Sequence, residues 1–183
     1  MKRDMKKWLH DMIAEPKKKA LPVLSFPAIQ LMDISVKDFI ASSDYQAQGM
    51  KLIADRVPAA AVLSLMDLSV EAECFGSEIR KSDDEVPTVI GSIITDERSV
   101  FDLAIPQIGS GRTGLYVEAV AKAVELIQDR PVLAGTIGPF SLAGRLMDVS
   151  EAMIYCYEEP EMVAALLEKV TALTGRKRAG KRI

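Results

Sequence analysis

The chain has 183 residues, 49% of them hydrophobic and 27% charged, with a net charge of −3. That length allows one domain with its own core, and the small charge excludes a bulk field that would draw in nucleic acid or a membrane surface. The Lys-rich start (Lys2, Arg3, Lys6, Lys7, Lys17, Lys18, Lys19) holds no apolar segment long enough for a signal peptide, and no run reaches the roughly 20 apolar residues of a membrane span. A cytoplasmic protein is expected. Cys74 and Cys156, far apart, read as reduced thiols rather than a disulfide. With His10 as the one histidine, the chain by itself cannot assemble a usual zinc site of three or four His and Cys ligands.

In chain order, residues 4–14 place Met5, Trp8, Leu9, Met12 and Ile13 on one stripe of a packing helix, ended by Glu15-Pro16. Residues 20–26 (ALPVLSF) read as a first strand. A short helix is expected at 35–39 and a longer one from Ser43, where Ser43 and Gln46 fit a capping box. Met50, Leu52 and Ile53 supply its apolar face, and Arg56-Val57-Pro58 closes it. The apolar run 59–66 (AAAVLSLM) reads as a strand covered on both faces, with Asp67 at its carboxyl end. Residues 68–76 read as a loop with a helical turn. The segment 79–89 is polar and interrupted by proline, and 87–94 is a further strand or an ordered excursion. A short helix over 96–103 and a glycine-rich loop over 108–114 follow.

A strongly periodic helix then starts at Thr113 or Gly114 and runs through Val117, Val120, Ala121, Val124 and Ile127 to Asp129-Arg130-Pro131. The order helix, Asp-Arg, proline, apolar strand thus occurs twice, at 55–58 and at 129–131, which predicts a parallel sheet with helical crossovers. Residues 131–147 (PVLAGTIGPFSLAGRLM) read as a buried strand broken by Gly135, a tight turn at Gly138-Pro139, and a helix carrying Phe140, Leu142 and Leu146. Glycine in such a turn lets a ligand approach the backbone, and the N–H groups of a helix start favour negative charge. Local geometry alone would equally account for both glycines. Asp148 with Glu151 resembles a capping box for 149–157. Pro160 opens a helix over 161–173 with Met162, Ala165, Leu166 and Val170 inward and Gly175 as its stop. Residues 1–175 form the domain, and the basic tail 176–183 is expected to be a disordered, solvated end.

Taken together, VLSLMDLSVEAECFG, GSGRTGLYVEAVAKAVELI and LAGTIGPFSLAGRLM resemble the uroporphyrinogen decarboxylase superfamily over roughly residues 7–172. That superfamily includes zinc-dependent methyltransferases that move methyl groups between corrinoid proteins and thiols such as coenzyme M. The resemblance implies a (β/α)₈ TIM barrel of about twice this length. This chain would be its N-terminal half: an α/β, partial barrel with about three parallel core strands, crossover helices and N-terminal helices, and a truncated or frame-shifted product. Asp67 matches the aspartate that, in the decarboxylase, meets the pyrrole N–H groups after the second barrel strand. The first-strand arginines that handle the substrate carboxylates are missing from SFPAIQLMDISVKD, and burying many carboxylates without guanidinium partners is costly. That departure favours the corrinoid-dependent methyltransferase branch over uroporphyrinogen decarboxylation. The zinc ligands of that branch, a His-x-Cys pair and a further cysteine, belong to the second half of the barrel. Zinc and a corrinoid therefore belong to complete members, and no cofactor is expected on this half.

The candidate catalytic residue is Asp67, at the carboxyl end of a barrel strand; a helix N-cap is the alternative reading. Gly135, Gly138, Phe140 and Arg112 are candidates for substrate binding. Arg112 lies in a loop that lacks the Gly-Lys-Ser/Thr ending of a nucleotide loop. Cys156 is expected to be a small buried hydrophobe, and Asp83-Asp84-Glu85 a solvated turn. The expected partners are a small-molecule, tetrapyrrole or corrinoid substrate and a corrinoid protein. A half-barrel would also expose strand edges, so a homo-oligomer or a complementing chain is expected, with no catalysis by the half alone.

Overall fold

The computed structural model describes residues 3–180, with side chains through Gly175. In chain order the elements are α1 (Met5–Ala14), α2 (Pro27–Met32), α3 (Val36–Ala41), α4 (Ser43–Arg56), β1 (Val62–Leu63), α5 (Val70–Phe75), β2 (Glu78–Arg80), β3 (Thr88–Ile90), α6 (Glu97–Asp102), α7 (Thr113–Leu126), β4 (Val132–Leu133), α8 (Pro139–Met147), α9 (Val149–Glu158) and α10 (Pro160–Gly180). This is an α/β chain whose described residues fall into two compact units, 3–66 with 116–135, and 67–115 with 136–180.

In the first unit, Asp4 caps α1 by accepting from the backbone N–H groups of Lys6 and Lys7, both at 3.0 Å. The stripe expected to pack on a core does not do so. Met5, Leu9 and Ile13 are exposed, while Trp8 and Met12 are half-buried and line a cavity rather than a packed layer. Among the described residues the first strand expected at 20–26 is absent: Ala60 N–H donates to the Ala20 carbonyl (2.9 Å), but no ladder forms. Pro22 has no N–H to give to a ladder, and Pro27 already opens α2. Ser42, rather than Ser43, caps α4, its Oγ accepting from Tyr45 N–H at 3.2 Å. Adjacent serines leave that one-residue choice open in the sequence.

β1 and β4 pair in parallel, Val62 opposite Val132 and Leu63 opposite Leu133. Val62 N–H donates to the Pro131 carbonyl and Ser64 N–H to that of Leu133, both at 2.9 Å. The apolar run 59–66 thus forms only a two-residue strand, and the sheet has two parallel strands where about three were expected. Beyond the pair, Gly135 N–H donates to the Ser64 hydroxyl at 2.8 Å instead of to a strand carbonyl. At the start of the pair, Arg130 Nη1 donates to the carbonyls of Val57 (2.7 Å) and Ala59 (3.3 Å), so the two repeated Asp-Arg segments meet. The core joins Ala47, Met50 and Ala54 of α4 to Val62 and to Ala119, Ala123 and Ile127. The buried face of α7 is therefore Tyr116, Ala119 and Ala123, and Val124, expected inside, is exposed. α7 is apolar nearly all round, and the alanine side permits the closest approach.

In the second unit, the polar stretch after α5 proves to be an antiparallel hairpin, with Glu78 opposite Ile90 and Arg80 opposite Thr88. Asp96 and Ser99 form a capping box on α6. Gly138 precedes α8, with Pro139 at its first position. Leu142, Leu146 and Met147 pack with Met162, Leu166, Val170 and Leu173, together with Ile94 and Val100, as one core. The Leu146 carbonyl receives the N–H groups of both Ile93 (2.8 Å) and Ile94 (3.0 Å).

Five expectations in this unit are corrected. Phe140 is half exposed because it lies two residues from Leu142, on another helix face. Ala165 is exposed as well. Cys156 is exposed, since α9 buries only Ala152. Asp148 caps α9 through Ser150 N–H (2.7 Å), without Glu151 closing a box. Gly175 does not stop α10, whose backbone continues to Gly180; an interior glycine costs a helix only about 1 kcal/mol. For the basic tail 176–183, side chains from 176 onward and all of 181–183 lie outside the described residues. Among the described residues no helix is long and apolar enough to cross a membrane.

Candidate functional site

The second unit opens with Asp67, four residues beyond β1. Its side chain is fully buried and receives bonds on both oxygens. Oδ1 accepts from Ser69 N–H (2.9 Å) and Ser69 Oγ (2.6 Å), the turn that an aspartate makes with the backbone two residues on. Oδ2 accepts from Arg112 Nη1. The N-cap position of α5 is Ser69, which makes no side-chain cap bond, so Asp67 is not the N-cap that its sequence context also allowed.

Arg112 reaches this position from the glycine-rich loop. Gly109 (φ 108°) and Gly111 (φ 53°) adopt backbone conformations that side chains disfavour. Thr113 Oγ1 staples the loop, accepting from Gly109 N–H (2.9 Å) and donating to the Ser110 carbonyl (2.6 Å). The guanidinium then spreads over three partners: Nη1 on Asp67, Nη2 on Ser69 Oγ (2.8 Å) and Nε on Glu73 Oε2 (2.5 Å). Lys81, from the hairpin, donates to the other Glu73 oxygen at 2.7 Å. Burial alone would raise the Glu73 carboxyl, but the bonds from Lys81 and Arg112 outweigh it and hold the group below its ordinary value of 4.5. Glu71, two residues away on α5, points elsewhere and accepts from Thr136 Oγ1 at 2.9 Å. Two carboxylates (Asp67, Glu73) therefore meet two cations (Arg112, Lys81), and Glu71 bonds Thr136 beside them.

The structure thus brings together Asp67 and Arg112, two residues singled out in the sequence. The others are not part of this cluster's bonding as described. Gly135 belongs to the first unit, where a Cβ would displace the Met66 thioether. Gly138 has ordinary φ (−72°), and a Cβ there would meet nothing. Phe140 sits in the first turn of α8. Sequence reasoning missed Ser69, Lys81 and Thr136. Only Ser69 carried a signal, the Asp-Leu-Ser turn pattern.

Zinc fits none of this. Among the described residues no grouping of three or more His, Cys, Asp and Glu side chains could hold a metal ion. His10 is exposed on α1, and the nearest soft donor, Cys74, directs its Sγ toward the Gln107 carbonyl at 3.7 Å.

The parallel strand pair and its helices make this an α/β protein, and the comparisons carry the assignment further. Residues 22–177 match the family described as uroporphyrinogen decarboxylase, and the chain belongs to that family. Among solved structures it is similar to a methyltransferase from Methanosarcina mazei, with a TM-score of 0.80 at 19% identity. The match covers 94% of this chain and 54% of that one, so the chain spans about half the length of that methyltransferase. No curated protein matches the sequence.

Proposed function

We propose that this chain is the N-terminal half of a TIM-barrel methyltransferase of the corrinoid-dependent branch, with Asp67 as the site carboxylate and Arg112 as the residue that positions it. The observation that carries this reading is the charge of the cluster. Arg112 and Lys81 are already bonded to Asp67 and Glu73, so the cluster offers a poor cradle for the octacarboxylate of uroporphyrinogen. A corrinoid, whose amide arms are neutral, needs no such cations. The absence of any arginine from residues 25–38 points the same way.

The chain's own contribution is binding and orientation. Arg112 holds Asp67 in place, and the staple through Thr113 holds Arg112. On this reading the zinc that activates the thiol is held by other residues, since no described donor set fits it, and we propose that the half does not turn over alone. Two parallel strands of two residues each cannot close a barrel. On this reading a second copy or a complementing chain would supply the remaining strands, and a corrinoid protein would carry the methyl donor.

Incubating the purified chain with methylcobalamin, a thiol and saturating zinc tests the reading. A perturbed cobalamin spectrum without demethylation is expected. Release of CO₂ from uroporphyrinogen would overturn it in favour of the decarboxylase reading, which the family description and Asp67 support.

A further inference from the structure

Within the first unit, at the amino ends of β1 and β4, lies a cavity of about 230 Å³ that the proposed function does not use. It is lined by Arg3, Trp8, Met12 and Lys19 on one side, and by Pro58, Ala59, Ala60 and Pro131 on the other, with the Asp129–Arg130 pair at its rim. The cavity is at the opposite end of the strands from Ser64 and Gly135. Its chemistry is divided. Trp8, Met12 and the two prolines offer flat and adaptable apolar surface. The charges come from the amino-terminal segment.

Those charges are not balanced. Arg130 is consumed locally, bonded to Asp129 at 2.6 Å and to the carbonyls of Val57 and Ala59. Arg3 makes one bond, Nη2 to the Gln128 carbonyl at 2.8 Å. Among the described residues Lys19 has no ion-pair or hydrogen-bond partner. With Asp129 and Arg130 cancelling, Arg3 and Lys19 leave two positive charges beside an indole face. α1 buries none of its residues against the rest of the unit, so the helix is held over this space without filling it.

We infer that this cavity is a binding site for a small aromatic carboxylate. The ring lies against Trp8 between α1 and the Pro58 and Pro131 edges, and the carboxylate is held by Lys19 and Arg3. The volume is below that of pockets for drug-sized ligands, which begin near 300 Å³ or so, and so restricts the ligand to a single ring with a short acidic arm.

Trp8 is the chain's one tryptophan, which gives a direct readout. Benzoate is titrated at constant ionic strength with excitation at the red edge of indole absorption, alongside saturation-transfer NMR of the benzoate protons. A ligand of this size is expected to saturate both signals with a Kd of about 1 mM. Benzyl alcohol, which lacks the charge, and the exposed-residue variants Lys19→Ala and Arg3→Ala should each bind at least about fivefold more weakly. The inference is overturned if neither signal saturates by about 50 mM. It is equally overturned if benzyl alcohol or both variants match the wild-type affinity, since the cavity would then be a packing gap under an amphipathic helix.

Discussion

Replacing Arg112 by methionine removes the cation while keeping much of the side-chain volume, and it isolates the cluster on which the functional reading depends. Arg112 is 10% exposed, Asp67 not at all, and Glu73 19%. Methionine would take from the buried Asp67 carboxylate its Arg112 cation, and from Glu73 one of its two cations. Breaking a buried pair by removing one partner costs about 3–5 kcal/mol, a large share of the 5–15 kcal/mol or so by which domains are stable. By contrast, Lys51→Met breaks an exposed i,i+4 pair with Asp55 (2.5 Å) and should cost less than about 1 kcal/mol. Urea unfolding followed by far-ultraviolet circular dichroism at pH 7 measures both. Adding Asp67→Asn to Arg112→Met should recover part of the loss, because the uncompensated charge goes with it. If Arg112→Met costs no more than Lys51→Met, the cluster is a surface feature and the reasoning fails.

Other consequences are open to the same assay. Leu146→Ala empties a fully buried position between α8 and α10 and should cost about 2–5 kcal/mol. Gly49→Ala should cost about 1–3 kcal/mol, because its Cβ would lie 2.8 Å from the Phe39 ring and 3.1 Å from Ala28 Cβ. Gly138→Ala, with ordinary φ and open space, should leave stability within about 0.5 kcal/mol of wild type. Glu73 has a folded-state carboxyl held below its ordinary value of 4.5, so its contribution is present above pH 4.5 and fades as the pH falls through the folded value. A Glu73→Gln variant should therefore show a shallower loss of stability on acidification than wild type, measured as the urea midpoint between pH 6 and pH 3, or thereabouts.

The sequence made some of this legible and left some of it open, for physical reasons. Helix starts were readable where proline fixes the geometry, at Pro139 and Pro160, and the short helices expected at 35–39 and 96–103 begin there, capped by Ser35 and Asp96. The two-fold Asp-Arg pattern led to the parallel pair of β1 and β4, because an arginine before a strand can bind the carbonyls that precede its neighbour. Strand extent was not readable. The runs 20–26 and 59–66 are apolar throughout, but apolarity reports burial, and the ladder depends on donors that Pro22 lacks and on turns such as that at Gly135. The hairpin of β2 and β3 was hidden by its polarity, since its strands are largely exposed. In the site, Asp67 was visible from its place after a strand, whereas its partner Arg112 lies 45 residues away. Only the fold and the glycine conformations of the 108–114 loop bring them together.

The most direct test of the central claim is a pair of spectroscopic titrations of the same purified chain, one with methylcobalamin and one with uroporphyrin. The account predicts saturable perturbation of the cobalamin spectrum, weakened in Asp67→Asn, and no saturable binding of the octacarboxylate. Tight binding of uroporphyrin with indifference to methylcobalamin would contradict it.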